Sequence, residues 1–484
     1  MIFPSLDRVK AIAPGYDIVP VYMEILSDVR TPISVLKALK QVSSHTYLLE
    51  SADNSNHWGR YSFLGYDPKI ELFCKNHQMT IKDGTTRTFE CSDPAAEIRN
   101  ILSQYKSPRL EELPTFTGGF VGYFACEYIR YIEPTPDDDS AMVNDVDLML
   151  FDKVIAFDHY KNKIYLIANI STNDLERNYN KAELELKALA DLVVNGKEAD
   201  IPKGILKTEF TSEFTKDEFE AVVKKTQHYI KEGDIFQCVV SNRREAEFDG
   251  SLLNAYRVLR TLNPSPYMFY LSGGDVELTG ASPETLVKLT DGKMYTFPIA
   301  GTMRRGKNEA EDLAIEEKLI NDEKELAEHN MLVDLGRNDL GKISKFGSVK
   351  VEALHMLQRF SHVIHITSTV SGDIQDGKDA LDAIGATLPA GTLSGAPKIR
   401  AIEILHELEK SPRGVYGGAV GYIDFSGNMD VCIGIRMAMN KGGKVYVRAG
   451  AGIVRDSVPA SEYNETLIKG QSMISAITDA QEVE

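Results

Sequence analysis

Two pairs of glutamates, far apart in the sequence, have a spacing that could hold a metal ion. Glu325 and Glu328 are three residues apart, as are Glu462 and Glu465. Residues with this spacing lie on one face of a helix. If the two faces met, their carboxylates would form a cage of oxygen ligands that suits a hard cation such as Mg2+. The alternative is two ordinary solvated helix surfaces, because neither pair is specific on its own.

A segment of small residues, 387–398, leads directly into an apolar helical pattern at 399–404. Such a loop exposes unpaired N–H groups at the start of a helix, where a carboxylate or phosphate can bind. Its spacing differs from that of a Walker P-loop, which disfavours nucleotide binding. A plain capped helix start remains the alternative.

A buried arginine is predicted at position 436. The residues around Arg436 are strongly apolar and are typical of a strand, and we expect Arg436 to lie inside that strand. A buried arginine needs an anion, either a structural carboxylate or a ligand. Segments 413–421 and 448–452 place Arg or Tyr beside glycines. Because glycine has no side chain, a ligand could approach the backbone closely there. Tight strand packing or a bulge would explain those glycines equally well.

His365 and Glu284 are further candidates for chemistry. His365 lies in a strand-like segment in which polar and apolar residues alternate. It is either a core residue whose hydrogen bonds are satisfied or a catalytic residue. Glu284 follows a proline turn and could point into a cleft or out to water.

Composition narrows the class of protein. The chain has 484 residues, 43% of them apolar and 26% charged, with a net charge of −17. These values are typical of a globular protein, and the acidic balance argues against nonspecific nucleic-acid binding. The five cysteines are scattered without metal-site spacing, which favours a reducing compartment such as the cytoplasm. We expect no signal peptide and no membrane span.

The order of elements predicts an α+β fold. Strand patterns occur at 47–50, 60–65, 153–158 and 164–168, and a charged helix is expected at about 175–194. After the linker-like segment 196–204, a capping box at 215–218 starts a helix. Further helices are expected at about 310–335, 376–385, 396–409 and 462–478. We therefore expect layered antiparallel or mixed β-sheets with helices on the outside.

Several segments, taken in order, resemble the chorismate-utilising enzyme family. The resemblance covers nearly all of residues 210–478, with shorter matches at 48–51, 59–63 and 118–123. The long matches are highly specific, and they lie at 282–284, 298–302, 334–339, 389–397 and 416–421. Within the family the segments are nearest to the branch that makes anthranilate from chorismate and ammonia.

The resemblance implies a role for each candidate. Glu328 and Glu465 would hold Mg2+, with Glu325 and Glu462 bound directly or through water, and the metal would bind the ring carboxylate of chorismate. The remaining carboxylate contacts would come from Gly301, Thr302, Tyr416, Arg436, Gly450, Ala451 and Gly452. Glu284 resembles the general acid that protonates the departing C4 hydroxyl, and His365 would assist the later elimination.

Two positions separate the branches of the family. Isochorismate and salicylate synthases carry a lysine base where this chain has Gln237, and Gln cannot deprotonate water. Aminodeoxychorismate synthases carry a nucleophilic lysine where this chain has Ala300. Both positions favour ammonia as the nucleophile. Aminodeoxychorismate synthesis remains the enzymatic alternative, and a non-catalytic tryptophan-binding regulator of the same fold is the other.

The resemblance also implies partners and regulation. Ammonia would come from a separate glutamine amidotransferase subunit (component II), in a heterotetramer. L-tryptophan would inhibit by binding between two domains, at Glu50, Ser51, Pro266, Tyr267 and Met268. We expect residues 1–205 to form an N-terminal regulatory domain with this tryptophan site. Residues 206–484 would form the C-terminal chorismate-binding catalytic domain.

Overall fold

The structure is a computed structural model that describes residues 2–51, 59–136, 140–359 and 363–483. Within these ranges the side chain of Thr302 is not described.

The α-helices lie mainly on the outside of the molecule. They are α1 (Leu6–Ile12), α2 (Pro32–Lys40), α3 (Pro94–Leu102), α4 (Leu175–Asn195), α5 (Lys216–Glu232), α6 (Leu253–Leu262), α7 (Glu309–Ile320), α8 (Glu323–Gly341), α9 (Ala380–Thr387), α10 (Lys398–Leu408) and α11 (Pro459–Asp479). Short 3-10 helices occur at Cys126–Tyr131, Gly391–Leu393 and Ala480–Glu482.

The strands form two large sheets. They are β1 (Ile18–Leu26), β2 (Thr46–Glu50), β3 (Tyr61–Tyr66), β4 (Ile70–Lys75), β5 (Gln78–Lys82), β6 (Thr86–Glu90), β7 (Gly119–Phe124), β8 (Val146–Phe151), β9 (Lys153–Asp158), β10 (Lys163–Ser171), β11 (Ile205–Leu206), β12 (Thr211–Ser212), β13 (Gln237–Asp249), β14 (Tyr267–Gly273), β15 (Val276–Ser282), β16 (Thr285–Thr290), β17 (Lys293–Thr296), β18 (Ile299–Arg304), β19 (Lys350–Arg359), β20 (Val363–Asp373), β21 (Gly395–Ala396), β22 (Ala419–Asp424), β23 (Met429–Ile433), β24 (Met437–Lys441) and β25 (Lys444–Ile453).

The two sheets pack face to face and are antiparallel throughout the described strand pairs. The first sheet has the order β1-β10-β9-β3-β2-β14-β15-β24-β25-β13-β11, with β12 and β21 also paired to β13. The second has the order β18-β20-β17-β16-β23-β22-β7-β8-β4-β5-β6, with β19 paired to β20. This arrangement confirms the expected α+β fold of layered sheets with helices outside.

The layers are held by separate apolar clusters. Tyr47, Phe116 and Met149 belong to a cluster between the two sheets. A second cluster packs α2, α4, α6 and α11 against the outer face of the first sheet. A third packs α3 and α9 against the outer face of the second sheet. Burial of apolar surface in these three layers is the main driving force for the sandwich.

Several local predictions are confirmed. The β9–β10 hairpin pairs Asp158 with Lys163. Helix α5 starts with the predicted capping box, in which the Thr215 hydroxyl accepts from the Glu218 backbone and the Glu218 carboxylate accepts from the Thr215 backbone. Residues 196–204 contain no regular element, as their linker composition indicated.

One predicted helix, at about 310–335, is wrong as a single element. The segment forms two helices, α7 and α8, that are separated at Asn321 and Asp322. The Asp322 carboxylate accepts hydrogen bonds from the backbone N–H groups of Lys324 and Glu325. This N-cap stabilises a new helix start, and it places Glu325 and Glu328 in the first two turns of α8.

Strands from either side of residue 205 share both sheets. In the first sheet β2 pairs with β14, and Glu50 lies opposite Met268. In the second sheet β7 pairs with β22, and Gly122 lies opposite Gly421. The division into residues 1–205 and 206–484 stays a prediction, and the two parts are continuous at the level of the sheets.

Candidate active site

The candidate site forms where the chain crosses twice from one sheet to the other. One crossing joins β15 to β16 and contains Glu284, and the other joins β23 to β24 and contains Arg436. The crossings are hydrogen-bonded to each other. The Ala281 N–H donates to the Arg436 carbonyl over 3.0 Å, and the Ile433 N–H donates to the Glu284 carbonyl over 3.0 Å. The topology therefore brings together two residues that are 152 positions apart in number.

Glu284 is a buried carboxyl group with an altered pKa. Burial raises its pKa to about 7, although the Thr392 hydroxyl and the Lys469 ammonium partly lower it. Thr392 Oγ1 makes no hydrogen bond of regular geometry within the described part of the chain. A carboxyl group with this pKa is substantially protonated at neutral pH and can donate a proton.

Lys469 is a site residue that the sequence analysis missed. It lies on α11, where its ammonium binds Glu465 over 2.5 Å and the Gly450 carbonyl over 3.3 Å. It is also close enough to Glu284 to lower the pKa of that carboxyl. Its spacing of four from Glu465 was the available signal, since residues four apart share a helix face.

Arg436 is a partly buried guanidinium that pairs with no carboxylate among the described residues. The prediction that it lies inside a strand is wrong, because it lies between β23 and β24 with a φ of 50°. This left-handed conformation is uncommon for a residue other than glycine and occurs often at functional sites. Among the described side chains no carboxylate pairs with Arg436, and burial lowers its pKa. An anionic ligand would satisfy it.

Tyr416 lies near both Arg436 and Gly450. The Tyr416 side chain is buried and its phenol interacts electrostatically with Arg436. A Cβ atom placed on Gly450 would come within 2.8 Å of the Tyr416 hydroxyl. Gly450 therefore leaves room at the Tyr416 hydroxyl that any side chain would fill.

Gly301 forms a bulge beside His365. The register of β18 against β20 shifts between Ala300 and Thr302, and Gly301 has a φ of 63°. His365 Nδ1 lies 3.3 Å from the Gly301 carbonyl. Burial lowers the pKa of His365, and the Arg436 charge lowers it further. His365 is thus neutral and adjacent to the arginine, while only the backbone of Thr302 is described.

Gln237 begins β13 beside the glycine-rich end of β25. Gly452 lies opposite Val239, and a Cβ atom on Gly452 would approach the Gln237 side-chain nitrogen to 3.1 Å. Ala451 is buried and lies opposite Val240. The Gln237 amide is therefore next to Gly452.

The two glutamate pairs lie on separate helices. Burial raises the pKa of Glu325, and the Glu328 and Asp322 charges raise it further. Burial and the Glu465 charge raise the pKa of Glu462. Lys324 on α8 interacts electrostatically with Glu462 on α11, so the helices face each other. Each pair holds like charges that a cation would relieve, and carboxylate oxygens are the ligands that Mg2+ prefers.

The four carboxylates do not form a closed cage. Within the described ranges, no three His, Cys, Asp or Glu side chains are close enough together to chelate one ion. Glu465 instead takes its counter-charge from Lys469. The donor chemistry of the two pairs fits Mg2+, and the metal site that the resemblance implies stays a prediction.

A buried ion-pair network lies next to the segment that carries Tyr416. Arg413 Nη2 binds Glu409 over 2.6 Å, and both side chains are at most 6% exposed. Arg413 also donates to the carbonyls of Leu393 and Val239. The network fixes the end of α10 against β13, next to the segment that carries Tyr416.

The predicted tryptophan residues lie together at one end of β2 and β14. The Glu50 carboxylate accepts hydrogen bonds from the Tyr256 hydroxyl over 2.6 Å and from Arg260 over 2.9 Å. The Tyr267 hydroxyl donates to Asp430 over 2.7 Å and lies 2.9 Å from the Thr285 hydroxyl. Thr285 follows Glu284, so these contacts connect the region to the candidate acid.

Pro266, Met268 and Ser51 complete that region. Pro266 precedes β14, Met268 is 1% exposed and lies opposite Glu50, and Ser51 follows β2. Residues 52–58, which continue the chain from Ser51, lie outside the described residues. The assignment of a tryptophan site stays a prediction.

Comparisons with known proteins point to one family. A family model described as chorismate binding enzyme matches residues 45–475. The anthranilate synthase component 1 of Acetivibrio thermocellus is 44% identical over 100% of both chains. The protein of the same name from Aquifex aeolicus is 43% identical, over 99% of this chain and 98% of its own.

Solved structures share the fold. The anthranilate synthase component I of Streptococcus pneumoniae superposes with a TM-score of 0.74 at 36% identity, covering 93% of this chain and 98% of that chain. The menaquinone-specific isochorismate synthase of Escherichia coli superposes with a TM-score of 0.69 at 18% identity, covering 98% and 99%. Of the helices described, none combines the length and apolar character needed to cross a membrane.

Proposed function

This chain belongs to the chorismate-binding enzyme family, and we propose that it is the chorismate-converting component of an anthranilate synthase. It combines chorismate with ammonia and releases anthranilate, pyruvate and water, at the start of tryptophan biosynthesis. Its full-length identity of 43–44% to proteins named anthranilate synthase component 1 supports this activity. The pair of crossings that joins Glu284 to Arg436 is the structural observation that carries the proposal.

Arg436 and its neighbours would bind the substrate. Chorismate is a dianion, and an acidic protein needs a local cation to hold it. Arg436 is partly buried and pairs with no carboxylate among the described residues, so a substrate carboxylate there would gain a charge-assisted hydrogen bond. Tyr416 and the small residues Gly450, Ala451 and Gly452 would shape the pocket around the same group, together with Gly301 and Thr302.

Glu284 would act as the general acid. Its proton goes to the C4 hydroxyl, which leaves as water while ammonia adds at C2. The C2 proton and the enolpyruvyl group then depart, the latter as pyruvate, and the ring becomes aromatic. His365, which is neutral because its pKa is lowered, could accept a proton during this elimination.

Gln237 and Ala300 would determine the nucleophile. An amide cannot remove a proton from water at neutral pH, so Gln237 gives no base for hydration. Ala300 is 9% exposed and has no nucleophilic atom. Neither position can supply the lysine chemistry of the related synthases, which leaves C2 open to ammonia.

Glu325, Glu328, Glu462 and Glu465 would hold Mg2+. A bound Mg2+ supplies positive charge that neutralises the ring carboxylate of chorismate. The two pairs fit that ion by donor type, and the raised pKa values of Glu325 and Glu462 reflect burial and repulsion that a cation would offset. Glu328 and Glu465 are the proposed central ligands.

Partners and regulation belong to the same proposal. The relatives are named component 1, which implies a second component. We propose that it is a glutamine amidotransferase subunit that supplies ammonia, in a heterotetramer, and that the complex lies in the cytoplasm. L-tryptophan would inhibit by binding at Glu50, Ser51 and residues 266–268, and the contacts of Tyr267 with Asp430 and Thr285 offer a route to Glu284.

The decisive experiment identifies the product. The protein is mixed with chorismate, Mg2+ and an ammonium salt, and anthranilate is detected by its fluorescence and by mass spectrometry. Anthranilate and pyruvate in equal amounts are expected. Formation of isochorismate or 4-amino-4-deoxychorismate would overturn the assignment, and tryptophan binding without any turnover would identify a non-catalytic regulator.

A further inference from the structure

A cavity between the two sheets lies outside the site described above. It has a volume of about 380 Å3, whereas the cavity that borders Glu284 has about 40 Å3. Its size is at the lower end of the range found for small-molecule sites. It opens beside His45, before β2, and beside the β14–β15 turn at Gly274. Glu50 is at the opposite end of β2, so the cavity is distinct from the predicted tryptophan region.

The inner wall of the cavity is apolar and contains one unsatisfied polar group. Met142, Met149, Leu271 and Leu278 contribute the apolar surface. Tyr123 on β7 also lines the cavity, and it is only 4% exposed. Its hydroxyl lies near the backbone of Asn144 but makes no hydrogen bond of regular geometry among the described residues. A buried hydroxyl whose hydrogen bonds are incomplete is unfavourable, and a polar atom of a ligand would complete them.

Among the described charged residues that line the cavity, one carboxylate and one ammonium group form no ion pair. Lys82 binds Glu71 over 3.0 Å, and Lys441 binds Asp275 over 2.7 Å. Asp147 forms no ion pair with a described residue and accepts a hydrogen bond from the neutral Asn144 amide over 2.8 Å.

Burial raises the pKa of Asp147 to about 6, and the Glu71 and Asp275 charges contribute to the rise. The carboxylate is therefore mostly ionised at neutral pH. Lys75 lines the same cavity and forms neither an ion pair nor a side-chain hydrogen bond within the described ranges. The cavity thus presents a free negative charge, a free positive charge and an apolar wall.

We propose that this cavity binds an α-amino acid with an apolar side chain as its zwitterion. The ammonium group donates to the Asp147 carboxylate and the Tyr123 hydroxyl, and the carboxylate binds the Lys75 ammonium. The side chain packs against Met142, Met149 and Leu278. Charge-assisted hydrogen bonds at both ends account for the selection of a zwitterion over a simple amine or acid. The proposal is independent of the proposed enzyme activity.

Calorimetric titration of the intact protein tests the ligand class. L-phenylalanine and L-leucine are the probes, and phenethylamine and 3-phenylpropionate each lack one of the two charges. At least one of the two amino acids should bind about tenfold or more tightly than either single-charge analogue, since each lost charge-assisted bond costs about 1.5–3 kcal/mol. No binding of either amino acid at millimolar concentration, or equal binding of an analogue, would overturn the proposal.

Four variants locate the site. Asp147→Asn and Lys75→Gln should each weaken amino-acid binding about tenfold or more. Asp249→Asn, an exposed carboxylate that pairs with Lys207 and lies outside the cavity, is the matched control and should bind as the wild type does. Ser51→Arg alters the predicted tryptophan region and should also leave this binding unchanged.

Loss of binding in Ser51→Arg alone would place the amino acid in the other region and refute the proposal. Unchanged binding in both Asp147→Asn and Lys75→Gln would refute it as well. Lys75 is partly exposed, so its replacement is tolerated more easily, and the Lys75→Gln result decides the matter if Asp147→Asn fails to fold. Circular dichroism and chorismate turnover serve as folding controls for every variant.

Discussion

At the scale of single residues, the protonation of Glu284 governs the proposed chemistry. The carboxyl lies where β15 crosses to β16, and burial raises its pKa to about 7. A proton donor works best when its pKa is near the working pH. Glu284 is therefore matched to a reaction at neutral pH by its position in the fold.

Glu284→Gln should lower the rate of anthranilate formation about 100- to 10,000-fold, because glutamine fills the same space but cannot donate an acidic proton. Chorismate affinity, measured by calorimetry without ammonia, should change little. Glu232→Gln on α5, whose side chain is 58% exposed, is the matched control. A Glu284→Gln enzyme with near-normal turnover would exclude this residue as the acid.

The same group predicts a pH profile. Glu284 acts in its protonated form, so kcat/KM should fall as pH rises through about 7 when the concentration of free ammonia is held constant. The Lys469 ammonium lowers the pKa of Glu284, and Lys469→Met should therefore move this decline to higher pH. A decline that stays in place in Lys469→Met would contradict the electrostatic link between the two residues.

Glu465→Gln should abolish activity at every Mg2+ concentration, because an amide oxygen is a weaker ligand than a carboxylate for a hard cation. Glu323→Gln on α8 is the control, since Glu323 is exposed on the facing helix and outside the two pairs. The measurement is anthranilate fluorescence over a Mg2+ titration. Full activity in Glu465→Gln would show that the metal assignment is wrong.

Residue patterns predicted some of this site and missed other parts. The spacing of the glutamate pairs correctly placed them on helices, but spacing cannot report the distance between α8 and α11. Lys469 was missed because a lysine four residues after a glutamate usually forms a surface pair. Its role depends on its closeness to Gly450 and Glu284, which only the tertiary structure provides.

At the scale of elements, the Arg413–Glu409 pair joins helix, strand and loop beneath the site. Burial opposes the ionisation of Glu409, yet the Arg413 and Arg448 charges keep its pKa below the usual value. Arg448 lies 3.4 Å from the same carboxylate. Removing Arg413 would leave the buried Glu409 with only the longer contact to Arg448, and it would also remove the hydrogen bonds to the Leu393 and Val239 carbonyls.

Arg413→Met should reduce the free energy of unfolding by about 3–5 kcal/mol, the typical cost of breaking a buried ion pair by removing one partner. Urea denaturation followed by circular dichroism measures the change. Lys410→Met removes a more exposed charge that pairs with Glu218 and should cost under about 1 kcal/mol. Equal stability of the two variants would contradict this account.

Element boundaries were predictable where local chemistry decides them. The capping box at Thr215 and the β9–β10 hairpin are set by neighbouring residues, and both are confirmed. The break between α7 and α8 was missed because the charged pattern continues across Asp322. The strand predicted through Arg436 was wrong because the apolar run from 431 to 439 hides a left-handed residue at the crossing.

At the scale of the whole molecule, the predicted tryptophan region and the candidate site share strands. Tyr267 begins β14 opposite Ser282, which is two residues before Glu284. A ligand that moves the start of β14 would therefore move the backbone that positions the acid. Because the two regions share this strand, coupling between them needs no additional chain of contacting residues.

L-tryptophan should inhibit the wild-type enzyme, and Ser51→Arg should be resistant because the larger side chain occupies the predicted site. Inhibition curves at fixed chorismate measure the effect, and activity without tryptophan should be similar in both proteins. Tyr267→Phe, which loses the bonds to Asp430 and Thr285, should bind tryptophan but respond to it less. A wild-type enzyme that tryptophan does not inhibit would refute the predicted tryptophan site.

The shared sheets also affect how the chain folds during its own synthesis. Strand β2 leaves the ribosome long before its partner β14, and β7 long before β22. At about 5–20 residues per second, the roughly 200 residues between β2 and β14 take about 10–40 s to translate. Until then, each nascent chain carries open strand edges that can pair with another chain. Lower growth temperatures, or capture of the nascent chain by a chaperone, should therefore improve the yield of folded protein. The improvement should be larger than for a protein whose two halves fold separately.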